Sequence, residues 1–267
     1  MEKNVSVSVI NLDRRPDRME YMAAALDRLG LPYTRIPAVD ARDPANDWLI
    51  DGVPARITGI RMRRGEHATH ASHCAAWEDA RVRGLDAVVV LEDDAVISDD
   101  FADLMTLDWI PEDADLVKLE AYWGEIELGP VAGKPFPGRT LHRLHSVHLG
   151  TAGTLITASG LKKLEQLMAP ETISDPVDRA IFDKHSPVSK ALTIYQIVPA
   201  MVRQAEFLST PDTSRIRTSD LAAGRDAETN NGAAYGNPHS LGRRARRMAL
   251  RVRARLKGRR RTVVPYR

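Results

Sequence analysis

The sequence predicts an α/β fold with a mostly parallel central sheet flanked by helices. Residues 87–91, Ala-Val-Val-Val-Leu, are an unbroken apolar run rich in β-branched residues. Without polar alternation, such a run reads as a strand buried on both faces, as in a parallel sheet. The chain's opening is strand, polar loop, helix, the start of a nucleotide-binding α/β unit. Three consecutive carboxylates, Glu92, Asp93 and Asp94, close the central run. They fall at the carboxyl edge, where open α/β sheets bind ligands.

The elements follow in order. Val5 to Ile10 is the first strand. Pro16 opens a helix whose Met19, Met22, Leu26 and Leu29 recur at helical spacing, and Gly30 stops it. A helix start beside Arg14, Arg15 and Arg18 suits a diphosphate. Tyr33 to Val39 is the second strand and ends at Asp40, where nucleotide folds place an acid for a sugar hydroxyl or base N–H. Residues 41–64 read as a loop over the site, and 65–83 as a helix carrying His67, His70 and His73. Histidines at i, i+3 and i+6 drift by about 120° around a helix, so a shared zinc is disfavoured. Phe101 to Ile110 reads as a short helix, and Asp115 to Glu120 as a strand placing Glu120 at a carboxyl end. Residues 122–140 hold Pro130, Pro135 and Pro137 and read as a loop or lid. Gly150 to Thr157 is a strand of small residues. Ser159 suits the N-cap of a helix over 160–168. Asp178 lies in the first turn of a further helix, and Ala191 to Val198 is the last strand.

Length and composition suit a soluble globular protein: 267 residues, 43% hydrophobic and 28% charged. The single cysteine, Cys74, excludes an intrachain disulfide and suits a reducing compartment. With no secretory signal and no apolar run near 20 residues, the expectation is a cytoplasmic protein. Charge is uneven. Residues 243–267 hold twelve of the 38 Lys/Arg and none of the 36 Asp/Glu, leaving a body of net −10. The expected division is therefore a catalytic domain over 1–208, a connector over 209–240 and a basic tail over 241–267. Leu241, Ala245, Met248, Ala249, Val252 and Leu256 form one helical stripe in that tail, which suits an anionic membrane surface. Nucleic-acid binding through the arginines is the non-enzymatic alternative; the acidic body argues against specific readout.

The acid trio carries the chemistry. Two carboxylates about 5 Å apart repel by roughly 3 kcal/mol at an effective dielectric near 20, so water or a cation must intervene. Mg²⁺ or Mn²⁺ takes one or two carboxylates plus substrate phosphates. Alternation lets Glu92 and Asp94 share a face while Asp93 points away. A Mg²⁺-dependent, receiver-like phosphotransfer domain would also fit an acidic strand end, but Lys118 reads as mid-strand, against that class.

Several motifs then resemble glycosyltransferase family 25. They are residues 9–18 (Val-Ile-Asn-Leu-Asp-Arg-Arg-Pro-Asp-Arg), Pro37-Ala38-Val39-Asp40, Gly65-Glu66 with Ser72-His73, Val90-Leu91-Glu92-Asp93-Asp94, residues 115–120, residues 150–153, Pro176-Val177-Asp178, and Pro199-Ala200 with Gln204. The resemblance implies a GT-A-like fold, a UDP-sugar donor, a saccharide or glycolipid acceptor such as lipopolysaccharide, and transfer with inversion. It places Asn11, Arg14 and Asp40 near the nucleotide and Asp94 at the acidic metal motif; Arg18, Glu92 and Asp93 are read with the donor as well, and Glu92 with Asp94 at a Mn²⁺ or Mg²⁺ ion. Asp178, then Glu120, are the candidate bases; His73 and Arg179 are assigned to the acceptor. Two departures stand out. Residues 65–71 read Gly-Glu-His-Ala-Thr-His-Ala where the family has Gly-Glu-Ile-Gly-Cys-Ala, and Arg179 replaces a usual His.

Overall fold

A computed structural model describes residues 4–50, 53–54, 59, 61–169, 173–208, 213, 216 and 258–267. Its elements are β1 (Val5–Asn11), α1 (Pro16–Arg28), β2 (Tyr33–Pro37), the small strands β3 (Val53–Pro54) and β4 (Arg61–Met62), α2 (Arg64–Val82), β5 (Ala87–Glu92) and β6 (Ala95–Ile97). Then come β7 (Leu116–Lys118), β8 (Tyr122–Phe136), β9 (Arg139–Leu144), β10 (Gly153–Thr157), α3 (Ala158–Leu167), α4 (Val177–Phe182), α5 (Pro187–Ala191), β11 (Ile194–Val198), β12 (Val202–Gln204) and β13 (Arg260–Val264).

Nine strands form one sheet in the order β13-β8-β9-β11-β7-β10-β5-β1-β2. The β2–β1–β5 nucleus is parallel, with Ile10 opposite Glu92 and Asn11 opposite Pro37. β7 and β11 are also parallel, while β10, β9, β8 and β13 join antiparallel. This is the expected α/β class, with its parallel character concentrated where the acids are. The run Val88 to Leu91 is fully enclosed. Val89 and Leu91 pack with Met22 and Leu26 of α1 on one face; Val88 and Val90 pack with Ala76, Trp77, Leu161 and Phe182 on the other. At about 1.5–3 kcal/mol for each large apolar side chain enclosed, both layers hold β5 rigidly at the centre.

Four elements differ from the sequence reading. Residues 122–140 are not a loop but most of a long hairpin. Ile126 and Leu128 are buried and alternate with Glu125 and Glu127, a pattern masked by the glycines and prolines. Pro130 and Pro135 fall in the two stretches where the β8–β9 register shifts, positions that tolerate a missing donor. The segment 101–110 makes two 3₁₀ turns, Phe101–Met105 and Leu107–Trp109. Helix α3 is capped by Thr157, whose Oγ1 accepts from the Gly160 N–H at 3.2 Å, and Ser159 instead donates to Asp115. Finally, the last part of the expected basic tail is a strand. β13 pairs with β8, and its Val264 is buried with Ile126, Leu128 and Ala200. Arg139 braces this end, donating to the carbonyls of Pro199 and Arg267 at 2.8 Å each while pairing with Asp100. The apolar stripe over 241–256 and nearly all of the connector lie outside the described residues. Among the described residues no helix is long and apolar enough to cross a membrane.

Candidate active site

The three acids at the end of β5 take three different environments. Asp93 turns inward. Its Oδ2 accepts from Asn11 Nδ2 at 2.7 Å and its Oδ1 from Arg18 Nη1 at 2.9 Å. Arg18 is only 4% exposed. Asn11 also donates to the Arg15 carbonyl and accepts from Arg35 Nε, each at 2.9 Å. Burial pushes the Asp93 carboxyl above its ordinary value, against the pull of Arg18 and Asn11. Asn11, Arg18 and Asp93, expected at the donor, therefore also form the clamp that fixes the start of α1 to the end of β5. Removing one partner of a buried pair leaves an uncompensated charge at a cost of about 3–5 kcal/mol. Arg18→Met is thus expected to lower the thermal midpoint by roughly 10 °C. A melt within 2 °C of the wild type would show that the pair contributes nothing.

Glu92 and Asp94 face the cleft. Glu92 Oε1 accepts from Thr151 Oγ1 at 2.5 Å and lies 3.1 Å from His73 Nε2. Burial alone would raise the Glu92 carboxyl, yet His73, Thr151 and the Lys118 charge hold it below the ordinary value. Asp94 has the opposite fate. Burial first, then the Glu92 charge, push its carboxyl well above the ordinary value. Its Oδ1 is buried and has no hydrogen-bond partner among the described residues. An orphaned carboxylate oxygen beside a second acid fits a hard cation. Among the described residues no three His, Cys or acidic side chains gather around one point. A cation here would therefore be held by Asp94 together with oxygens of a ligand.

The cleft runs from these acids past His73 and Ser72 of α2 to Arg14, Asp40 and Arg42, with Gln204 on the near wall. β12 positions Gln204 by pairing with β6, and the Ala205 N–H donates to the Asp94 carbonyl at 2.9 Å. At the far end Arg14 Nε meets Asp40 Oδ2 at 2.7 Å, both partly exposed. Ser72 Oγ accepts from the Val39 N–H at 2.9 Å and so ties α2 to the loop carrying Asp40.

Behind the acids lies a second cluster. Glu120 is 3% exposed and its Oε2 lies 3.0 Å from Nζ of the fully buried Lys118. Burial raises the Glu120 carboxyl, opposed by Lys118. Lys118 also donates to the Gly150 carbonyl and stands 4.0 Å over the Phe182 ring. Gly150 has φ +96°, and a Cβ there would lie 2.7 Å from Glu120 Oε1, so only glycine fits. Its N–H donates to Asp178 Oδ2 at 3.2 Å, and Asp178 Oδ1 accepts from the Arg179 N–H at 2.7 Å. Gly150 and Thr151 thus couple the two clusters: one residue holds Asp178, the next holds Glu92. Their motif is visible in the sequence, but these roles are not. Lys118 ends β7 instead of lying mid-strand.

The histidines serve singly. His70 Nδ1 lies 3.2 Å from the Asp175 carbonyl, and burial lowers its pKa to about 4. With His67 it turns inward from α2, while Ala68 and Thr69 of the same departing segment line the cleft.

Residues 4–181 match the family described as glycosyltransferase family 25 (LPS biosynthesis protein). The chain belongs to that family. It is similar to a lacto-N-neotetraose biosynthesis glycosyltransferase, LgtE, of Neisseria meningitidis, 27% identical over 82% of this chain and 81% of the relative. LgtB of Neisseria gonorrhoeae is 25% identical over 73% of each. An inactive glycosyltransferase 25 family member 3 of Homo sapiens is 32% identical over 67% of this chain and 32% of that protein. As a family 25 chain this is a glycosyltransferase, and its acids stand at the carboxyl end of the parallel nucleus.

Proposed function

We propose that this family 25 chain transfers a hexose, galactose foremost, from a UDP-sugar to a saccharide hydroxyl of lipopolysaccharide, lipooligosaccharide or another surface glycan. Transfer inverts the anomeric centre. The observation that carries this reading is the orphaned Asp94 carboxylate facing a cleft whose far end is the Arg14–Asp40 pair. Arg14 and the first turn of α1 receive the diphosphate, and Asp40 receives the nucleoside. Asp94, beside Glu92, would hold Mn²⁺ or Mg²⁺, which when bound supplies positive charge against the departing UDP.

Asp178 takes the proton of the acceptor hydroxyl. The acceptor oxygen forms its bond to the anomeric carbon as the bond from that carbon to the diphosphate breaks, and UDP leaves with the electron pair. The proton passes from Asp178 to solvent. Asp178 suits this role because two backbone N–H groups aim its carboxylate without cancelling its charge. Glu120, paired with Lys118, fixes the Gly150 turn behind it. His73 orients Glu92, and Arg179 lies beside Asp178 toward the acceptor. The tail over 241–257 would bring the enzyme to an anionic membrane surface from the cytoplasmic side, a reading supported by its sequence pattern.

The test is a titration with UDP-galactose, UDP-glucose and UDP-N-acetylhexosamines, each with Mn²⁺ and with EDTA. Metal-dependent binding of one UDP-sugar is expected. No binding of any UDP-sugar in either condition would overturn the donor assignment.

A further inference from the structure

Trp123 is 72% exposed, the most exposed of the large apolar side chains among the described residues. It stands at the start of β8, three residues beyond Glu120. It does not stand alone. Its ring lies 5.1 Å from the Tyr122 ring, and the Tyr122 ring lies 4.6 Å from the His148 ring at 34°. Gly124 permits this: a Cβ there would lie 3.1 Å from Tyr122 Cε1, so the missing side chain lets the phenol fold back along the strand. His148 is fully buried, with Nε2 3.2 Å from the Glu120 carbonyl. Three rings thus step from solvent to the wall behind Glu120.

The ladder stands beside the charged groups of the site. The Tyr122 phenol is raised by burial and feels Arg179, Asp178 and Glu120. An exposed indole against a phenol that feels a carboxylate and a guanidinium matches a sugar ring. A pyranose offers one apolar C–H face for an aromatic surface and a rim of hydroxyls for ions.

We propose that Trp123 and Tyr122 form the platform on which a pyranose ring of the acceptor stacks, delivering its hydroxyl to Asp178. This rests on the glycosyl-transfer reading above and extends it to the acceptor side.

The experiment uses the full chain with saturating UDP and a panel of methyl β-galactoside, methyl β-glucoside, N-acetylglucosamine and lactose. Ring-proton saturation transfer and Trp fluorescence report saccharide binding, and UDP affinity is measured separately. At least one saccharide is expected to bind with its C–H face against an aromatic ring. Trp123→Ala is expected to weaken it about tenfold or more, Trp123→Phe to restore most of that loss, and UDP affinity to stay within twofold. Equal saccharide binding by the wild type and Trp123→Ala would overturn the proposal, as would no binding of any panel sugar. So would quenching of Trp123 by phosphatidylglycerol vesicles but by no saccharide, which would make the ring a lipid contact. Because UDP affinity is read independently, failure of the platform and failure of the donor assignment give different results.

Discussion

Asp178→Asn enzyme is expected to lose transfer by about 10²–10⁴-fold in kcat while binding UDP-sugar within twofold of the wild type. The substitution keeps the side chain's size and one oxygen. Helix α4 and the Gly150 turn should therefore persist, since their packing rests on Val177, Ile181 and Phe182 rather than on the carboxylate. What is lost is the ability to take a proton. Asp178 is also not among the residues that line the cleft from Asp94 to Arg14, and Gly150 and Thr151 stand between it and Glu92, so donor affinity should not follow kcat down. Quenched-flow measurement of sugar transfer with saturating donor and acceptor separates the two. Turnover near the wild-type rate would remove Asp178 as the base. A rise in acceptor KM with kcat intact would assign it to acceptor orientation.

Asp94→Asn should make the metal-free protein more stable and at the same time abolish metal-dependent UDP binding. The wild-type carboxyl titrates well above its unfolded value of 3.8, because burial and the Glu92 charge both disfavour ionisation. Below pH about 4 the group is protonated in both states and costs nothing. As pH rises past the unfolded value, the unfolded chain ionises first, and the native state loses stability until pH passes the raised folded value. The advantage of the Asn variant should therefore be absent near pH 4 and grow toward neutrality. Millimolar Mn²⁺ with UDP should reverse the order, since only the wild type gains the linkage term, about 2.7 kcal/mol at a hundred times Kd. Scanning calorimetry at several pH values, with and without Mn²⁺ and UDP, checks both halves. An Asn variant that is less stable at pH 7, or that still binds UDP only with metal, would undo the assignment.

That a single substitution should raise stability and end function follows from how the site is built. Asp93, Glu92 and Asp94 are adjacent in sequence, but two are compensated and one is not. Asp93 has Arg18 and Asn11, and Glu92 has His73 and Thr151. Asp94 Oδ1 has no such partner among the described residues.

By itself the sequence determined what short-range patterns determine. The buried β5 run, the 3.6-residue repeat of α1 from Pro16 and the acids at a strand end are each written within about a dozen residues, because burial on two faces and helical spacing are local periodicities. The ordered motifs carried the family. The hairpin over 122–140 was hidden because glycine and proline weaken strand signals, while the alternation that makes it a strand needs β9 and β13 as neighbours. The roles of the site residues were hidden for a related reason. Asn11 and Asp93 are 82 residues apart, Thr151 and Glu92 are 59 apart, and Arg139 and the Arg267 carbonyl are 128 apart. Only the strand order brings these groups within hydrogen-bond distance. A carboxylate's pKa and function depend on the charges and donors that surround it in space, so which acid is clamped, which is oriented and which is left open was decided by the tertiary structure.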